Sequence, residues 1–183
     1  MIEFEKITIQ NFMSVGNKPI ELELNESGIS LVCGPNGSGK STLFLYGIYY
    51  ALYGKSFSKT KLNSLVNNIN EKNLVVSLWF SMNGEKYRII RGIRPNIFEI
   101  YKNEKLVKQS PKNKDYQDFL EKEILHLDEK TFRQLVVIGS TSYIPFMRLS
   151  TSDRRIVIEN VLDLELFSMM LENSLEREEN LKE

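Results

Sequence analysis

The sequence has one cysteine, one histidine and one tryptophan in 183 residues, no net charge and no long apolar run. A lone thiol, Cys33, cannot close an internal disulfide, which excludes a small secreted scaffold held by bridges. His126 has no cysteine, histidine or aspartate companion at metal-ligand spacing, so it reads as structural. Lysine and arginine total 24 against 24 aspartate and glutamate, which excludes a general polycation but leaves room for a local basic patch. The most apolar stretch, Leu43 to Tyr53, is interrupted by Gly47 and falls well short of the ~20 residues of a membrane span. Met1 to Lys6 lacks the basic and apolar regions of a secretion signal. There is no internal repeat and no low-complexity tract. The remaining composition, 42% hydrophobic, is enough for one domain with a core, with room for an appendage, expected in a reducing, cytoplasmic compartment.

Hydrophobic periodicity then orders the chain. Ile7 and Ile9 alternate with Thr8 and Gln10, and Leu22 and Leu24 alternate with glutamates, as half-buried strands do. Ile29-Ser30-Leu31-Val32-Cys33 is nearly continuous apolar and ends at Gly34, which predicts a central strand buried on both faces of a mixed or parallel sheet. Lys40 to Tyr53 predicts a helix, apolar almost all round and therefore buried. Leu74 to Met82 predicts a strand containing Trp79, and Asn83-Gly84 supplies the positive-φ pair of a tight hairpin. Tyr87 to Arg91 is the returning strand, and a second hairpin is predicted around Asn103-Glu104. Tyr116, Phe119, Leu120, Ile124 and Leu127 keep helical spacing. Ser150-Thr151-Ser152 with Asp153 marks a helix start. The helical pattern then continues to the last residue, through Val161, Leu164, Phe167 and Leu171.

Between the predicted central strand and the helix lies Gly34-Pro35-Asn36-Gly37-Ser38-Gly39-Lys40-Ser41, followed by Thr42. It satisfies G-x-x-x-x-G-K-[ST] at every fixed position. Glycines let the backbone turn tightly and bring its N–H groups against phosphate oxygens. The helix that follows points its positive end at the same anion. Lys40 supplies an ammonium for the β- and γ-phosphates and for transition-state charge, and the Ser41 hydroxyl is placed to ligate Mg²⁺. The guanine-reading N-K-x-D motif is absent, so ATP is the expected nucleotide. An apolar strand ending in aspartate, needed to hold Mg²⁺ and orient water, is also absent, since Val161-Leu162-Asp163 falls in a helical pattern. This stretch alone is therefore expected to bind Mg·ATP without hydrolysing it.

Ile7-Thr8-Ile9-Gln10-Asn11-Phe12-Met13-Ser14, Gly34 to Thr42, Tyr87-Arg88-Ile89-Ile90-Arg91, Phe132 to Val137, and Tyr143 to Met147 with Leu149-Ser150-Thr151 and Arg154-Arg155 resemble one family. It comprises the SbcC-type double-strand-break repair ATPases, SMC-like proteins with ABC-type heads, and within it the phage recombination endonucleases. The resemblance covers nearly the whole chain. It implies an α/β fold, namely the N-terminal lobe of a P-loop ABC-type ATPase with an antiparallel β-subdomain (residues 1–160), followed by the truncated root of a coiled coil (residues 161–183). The partners it implies are the C-terminal half of the same ATPase with its carboxylate strand and signature motif, a second identical head, a metal-dependent nuclease and double-stranded DNA, with no membrane. For a phage protein the compartment becomes the host cytoplasm. Two positions depart from the family pattern. Met13 stands where a basic residue usually touches the nucleotide. Ser140 aligns with the switch-loop glutamine, and the nearest glutamine is Gln134, so either residue is a candidate for that role.

Lys102, Lys105, Lys108, Lys112 and Lys114 form either a DNA-backbone track or a solvated hairpin tip. Leu164, Phe167, Met170 and Leu171 form either a docking face for the nuclease or the seam of a returning helix. Rival readings are a transporter nucleotide-binding subunit, a structural SMC-like tether without a nuclease, and a nucleotide sensor that never hydrolyses.

Overall fold

A computed structural model describes residues 2–26, 28–58, 60–108, 113–138 and 145–162, together with Leu164 and Met170. The chain divides into two units, Met1–Gln117 and Asp118–Glu183.

The first unit is built on six antiparallel strands: β1 (Ile2–Gln10), β2 (Ile20–Glu23), β3 (Leu74–Met82), β4 (Glu85–Ile93), β5 (Ile97–Lys102) and β6 (Lys105–Leu106). Their spatial order is β2-β1-β3-β4-β5-β6, so β3 to β6 form a sequence-local meander and β1 inserts beside β3. Two tight turns set the register. Asn83 and Gly84 take φ of 52° and 80°, and Asn103 and Glu104 take 48° and 65°, the left-handed pair that matches the twist of a two-residue hairpin.

Alternation along each strand sorts the faces. Ile7, Ile9, Val76, Leu78, Ile89 and Ile100 are fully buried, and the register sets Ile7 against Leu78, Leu78 against Ile89, and Ile89 against Ile100. Each such aliphatic side chain contributes about 1.5–3 kcal/mol on burial. Against this face packs helix α1 (Gly47–Tyr53), which buries Tyr49, Tyr50, Ala51, Leu52 and Tyr53. Arg91 also points to this face, at 7% exposure.

The opposite face carries a cross-strand row in which Lys6 pairs with Trp79, Trp79 with Arg88, and Arg88 with Tyr101. Lys6 lies 5.3 Å and Arg88 5.8 Å from the Trp79 ring centroid, and Arg88 lies 4.3 Å from that of Tyr101. Trp79 thus belongs to the sheet surface rather than the core.

One strand predicted from the sequence does not form. Residues 28–35 adopt no strand, Ile29 and Leu31 are 95% and 89% exposed, and Cys33 is exposed. Among the described residues the sheet has no parallel pair. A run apolar on both faces becomes a strand only when neighbouring strands flank it, and none among the described residues does.

The second unit is helical. Helix α2 (Asn113–Phe119) leads across the unit boundary into a wide π-type stretch, Leu120–Leu125, in which Leu120, Ile124 and Leu125 are buried. His126 ends it in the left-handed cap position at φ 49°, a structural role. Helix α3 (Glu129–Leu135) starts at Asp128, whose carboxylate accepts the Thr131 N–H at 2.7 Å. Helix α4 (Thr151–Val161) starts at Ser150, whose Oγ accepts the Asp153 N–H at 3.1 Å, the cap expected from Ser150 and Asp153. α3 and α4 pack on each other. α4 closes at Leu162; the predicted continuation through Phe167 and Leu171 to residue 183 lies outside the described residues, and no coiled coil is seen among those described. Nor is any described helix long and apolar enough to cross a membrane.

Candidate nucleotide site

The loop Gly34–Ser41 turns tightly enough that a Cβ on Gly34 would stand 2.9 Å from Ser38 Oγ. Gly37 and Gly39 take φ of 83° and 87°, a region that side chains disfavour, so both turns depend on glycine. The Ser38 N–H closes on the Pro35 carbonyl at 3.2 Å. Inside this curve Lys40 Nζ donates to the carbonyl oxygens of Gly34 and Pro35, each at 2.7 Å. The ammonium is held at the hollow of the loop, where a β- or γ-phosphate oxygen can take the place of either carbonyl. Asn36 and Ser41 are exposed. Thr42 is buried, and the Leu43 N–H bonds Gly39 O at 3.0 Å, so helical structure begins within the motif.

The helix behind the loop is not uniform. Lys40 and Ser41 are helical, Thr42–Tyr46 is a wide π-type turn, and α-helix resumes at Gly47. Gly47 lies against β1 so closely that a Cβ would stand 2.5 Å from Ile9 Cδ1 and 3.2 Å from Ile7 Cδ1. Leu43, Phe44 and Leu45 are half-buried rather than enclosed, which corrects the expectation of an all-round buried helix for its first turn. Phe44 lines a groove with Glu23, Leu24 and Ser30 to Cys33. Farther along, burial pushes the Tyr50 phenol up to about 12, against the opposing pull of the Arg91 guanidinium.

The opening motif borders the loop. Asn11 sits at φ 50° and 1% exposure. Its amide donates to Asn73 O at 3.1 Å, and its Oδ1 accepts from Asn70 Nδ2 at 2.8 Å. Asn67 donates to Met13 O at 2.9 Å, while its Oδ1 accepts the N–H groups of Ile69 and Asn70. This net fixes the turn that carries Met13 and Ser14, and Ser14 Oγ stands 3.8 Å from where a Gly39 Cβ would be. Ser14 is therefore a neighbour of the phosphate loop that the motif alone did not single out. The asparagines that hold it lie far apart in sequence and gave no local signal.

The other candidates are spread more widely. Lys102 and Lys105 are register partners at the β5–β6 tip, and both are exposed, as is Lys108. Lys102 bridges Glu85 at 3.3 Å and lies 5.8 Å from the Tyr87 ring. Glutamates thus share this tip with the lysines. Lys112 and the Lys114 side chain lie outside the described residues. Gln134 sits near the end of α3 with its Oε1 buried and accepting no hydrogen bond among the described residues. It lines an apolar groove with Leu135, Ile138, Phe146, Val157, Ile158 and Leu162. Ser140, Phe167 and Leu171 lie outside the described residues. Leu164 is half-buried and Met170 exposed.

Comparison with known proteins follows the same lines. The family described as AAA domain matches residues 6–183. Exonuclease subunit 2 of Escherichia phage RB69 is 39% identical over 162 residues, which is 88% of this chain and 28% of that protein. The DNA double-strand break repair Rad50 ATPase of Archaeoglobus fulgidus is 38% identical over 91 residues, half of this chain and 10% of that protein. Among solved structures, the Smc head domain with an extended coiled coil, bound to the C-terminal domain of ScpA and derived from Pyrococcus furiosus, aligns with TM-score 0.71 and 23% identity. That alignment covers 99% of this chain and 48% of the other and shows a shared fold. The chain thus spans little more than a quarter of the length of the phage relative.

Proposed function

The chain belongs to the AAA domain family as an ATPase head of the Rad50/SbcC type, and from that premise we propose that it is the ATP-binding lobe of the ATPase subunit of a DNA-repair exonuclease complex. The observation that carries this reading is the loop that wraps Lys40, set beside the exposed apolar run Ile29–Cys33. The first is equipment for a triphosphate. The second is exposed apolar surface, and we assign its cover to the C-terminal half of the same ATPase, which also brings the carboxylate and the signature motif.

Gly37, Ser38, Gly39 and Lys40 would hold the phosphates, Ser41 would hold Mg²⁺, and Lys40 would offset charge developing on the γ-phosphoryl group. Bound Mg²⁺ would supply electrostatic stabilisation of the phosphates. Gln134 or Ser140 would sense the occupied site. Two such heads would close on ATP, move the coiled coil rooted at residues 161–183, and gate a metal-dependent nuclease on double-stranded DNA. Lys102, Lys105, Lys108 and Lys112 are assigned to the DNA backbone, and Leu164, Phe167, Met170 and Leu171 to nuclease docking. The compartment we assign is cytoplasmic, which for a phage protein is the cytoplasm of the host.

The test is Mg·ATP binding and turnover by this chain alone, with Lys40→Ala as control. Binding without turnover, lost in Lys40→Ala and converted to turnover by the complementary half, is the expected result. Robust turnover by the chain alone, lost in Lys40→Ala, would overturn the half-site reading. A structural tether of the SMC type is separated by copurification, since it brings no metal-dependent nuclease.

A further inference from the structure

Arg91 is a full charge pointing into the core from β4, and its contacts explain why it is tolerated there. Its Nε donates to Ala51 O at 2.6 Å, and its Nη2 donates to Leu52 O at 3.2 Å and to Gln117 Oε1. The Gln117 amide donates to the same Leu52 carbonyl at 3.1 Å. The guanidinium carbon lies over the Phe98 ring, 3.6 Å from its centroid. Where the chain leaves α1, Gly54 takes φ 63°, and a Cβ there would stand 2.7 Å from Arg91 Nη1. The group therefore occupies the space at the end of the helix and satisfies its last carbonyls with a cation, the sign that the C-terminal pole of a helix favours. An apolar side chain of the same volume would fill the space but take the Arg91 donor from the Ala51 carbonyl and leave Leu52 O to Gln117 alone.

This helix is the continuation of the phosphate loop. Two points hold it: Gly47, seated against Ile9 and Ile7, and the carbonyls of Ala51 and Leu52, gripped by Arg91. Between the held portion and Lys40 lies the wide turn Thr42–Tyr46. A π-type turn carries an extra residue, so the segment before it can rotate relative to the segment after it by changing hydrogen-bond register.

We propose that Arg91 is a positioning residue for the nucleotide: by gripping the end of α1 it sets the axial position and register of the helix, and so where Lys40 and Ser41 stand. The wide turn is the joint at which loop and helix adjust when a triphosphate engages. This inference rests on the nucleotide-binding reading above and adds a residue far from the phosphates to it.

The experiment titrates wild type, Arg91→Lys, Arg91→Gln and Ile100→Val with a fluorescent non-hydrolysable Mg·ATP analogue. Titrations run well below each melting temperature, with the folded fraction checked by circular dichroism. Ile100→Val trims the same sheet face outside the helix cap and so controls for lost stability alone. Arg91→Gln is expected to bind about tenfold more weakly, Arg91→Lys in between, and Ile100→Val as wild type despite its lower melting temperature. If Arg91→Gln does not fold, Arg91→Lys carries the comparison. Wild-type affinity in the folded Arg91 variants, or an affinity loss that tracks melting temperature in all variants alike, would overturn the proposal. No binding by the wild type would overturn the nucleotide reading and this inference with it.

Discussion

The ammonium of Lys40 and the carbonyl oxygen of Gly34 stand 2.7 Å apart, so the phosphate loop is closed by its own first and seventh residues. The contact is exposed, and water replaces it when the side chain is removed. Lys40→Ala should therefore shift stability by less than about 0.5 kcal/mol while weakening Mg·ATP by about 100-fold or more, about 2.7 kcal/mol. Thermal melts run beside nucleotide titrations check the split. A large loss of stability would mean that the lysine is a structural clasp.

Gly47 has no room for a methyl group. Gly47→Ala places a Cβ 2.5 Å from Ile9 Cδ1, in a helix and a strand that are both packed. Overpacking of this kind costs about 1–3 kcal/mol, outweighing the ~1 kcal/mol that alanine gains over glycine as a helix former. A lower urea midpoint at unchanged slope is the expected reading; a higher midpoint would show that β1 yields.

Asn67 holds the Met13 carbonyl on one side and two backbone N–H groups on the other. Asn67→Ala leaves these groups without their partner at a site that is 6% exposed. The expected loss is about 1–3 kcal/mol. The turn beside Gly39 should loosen as well, read as faster amide exchange at Met13 to Val15 than in wild type, with β1 unchanged.

Ser150→Ala removes the cap of α4, at about 1 kcal/mol. The same cap is pH-sensitive in a defined direction. Lys130 and Ser150 hold the Asp153 carboxyl below its ordinary range. Its contribution is complete above that range and is lost as pH falls through the depressed value. Loss of helical signal in acid should thus begin earlier in Lys130→Met than in wild type, and equal acid midpoints would refute the coupling.

Tyr50 sets a limit at the alkaline end. Its phenol is pushed up to about 12 in the folded chain, whereas the unfolded chain releases that proton near pH 10. Stability is therefore full below about pH 10 and falls by about 1.4 kcal/mol for each unit as pH rises between the two values. Tyr50→Phe should flatten this alkaline slope in denaturant titrations. An unchanged slope would assign it to other groups.

Local chemistry made much of this legible. Asn83-Gly84 announced its hairpin because few residue pairs accept two positive φ values, and the phosphate motif announced its loop for the same reason. Ile29 to Cys33 misled, because an apolar run reports that a segment is meant to be covered and says nothing about which segment covers it. Arg91 was visible as a charge in phase with Ile89, but its meaning needed Ala51 and Leu52 beside it. The asparagine net joining Asn11, Asn67 and Asn70 could not be read at all, since its members meet only after β1 and β3 have paired. The wide turn at Thr42–Tyr46 was equally hidden, because a segment apolar almost all round has no single stripe whose shift would betray an extra residue.

The strand order has a kinetic corollary. The meander β3-β4-β5-β6 joins neighbours through short turns, whereas β1 reaches β3 only across a long excursion that contains the phosphate loop and its helix. Loop-closure entropy makes the meander the natural nucleus and the docking of β1 the late event. Substitutions at the β3–β4 interface, such as Leu78→Ala, should mainly slow refolding, and those in β1, such as Ile7→Val, should mainly speed unfolding. The loop proposed to hold phosphate lies within that excursion, so a nucleotide engaging it would act on the unfolding rate and lengthen the lifetime of the folded chain rather than hasten its formation.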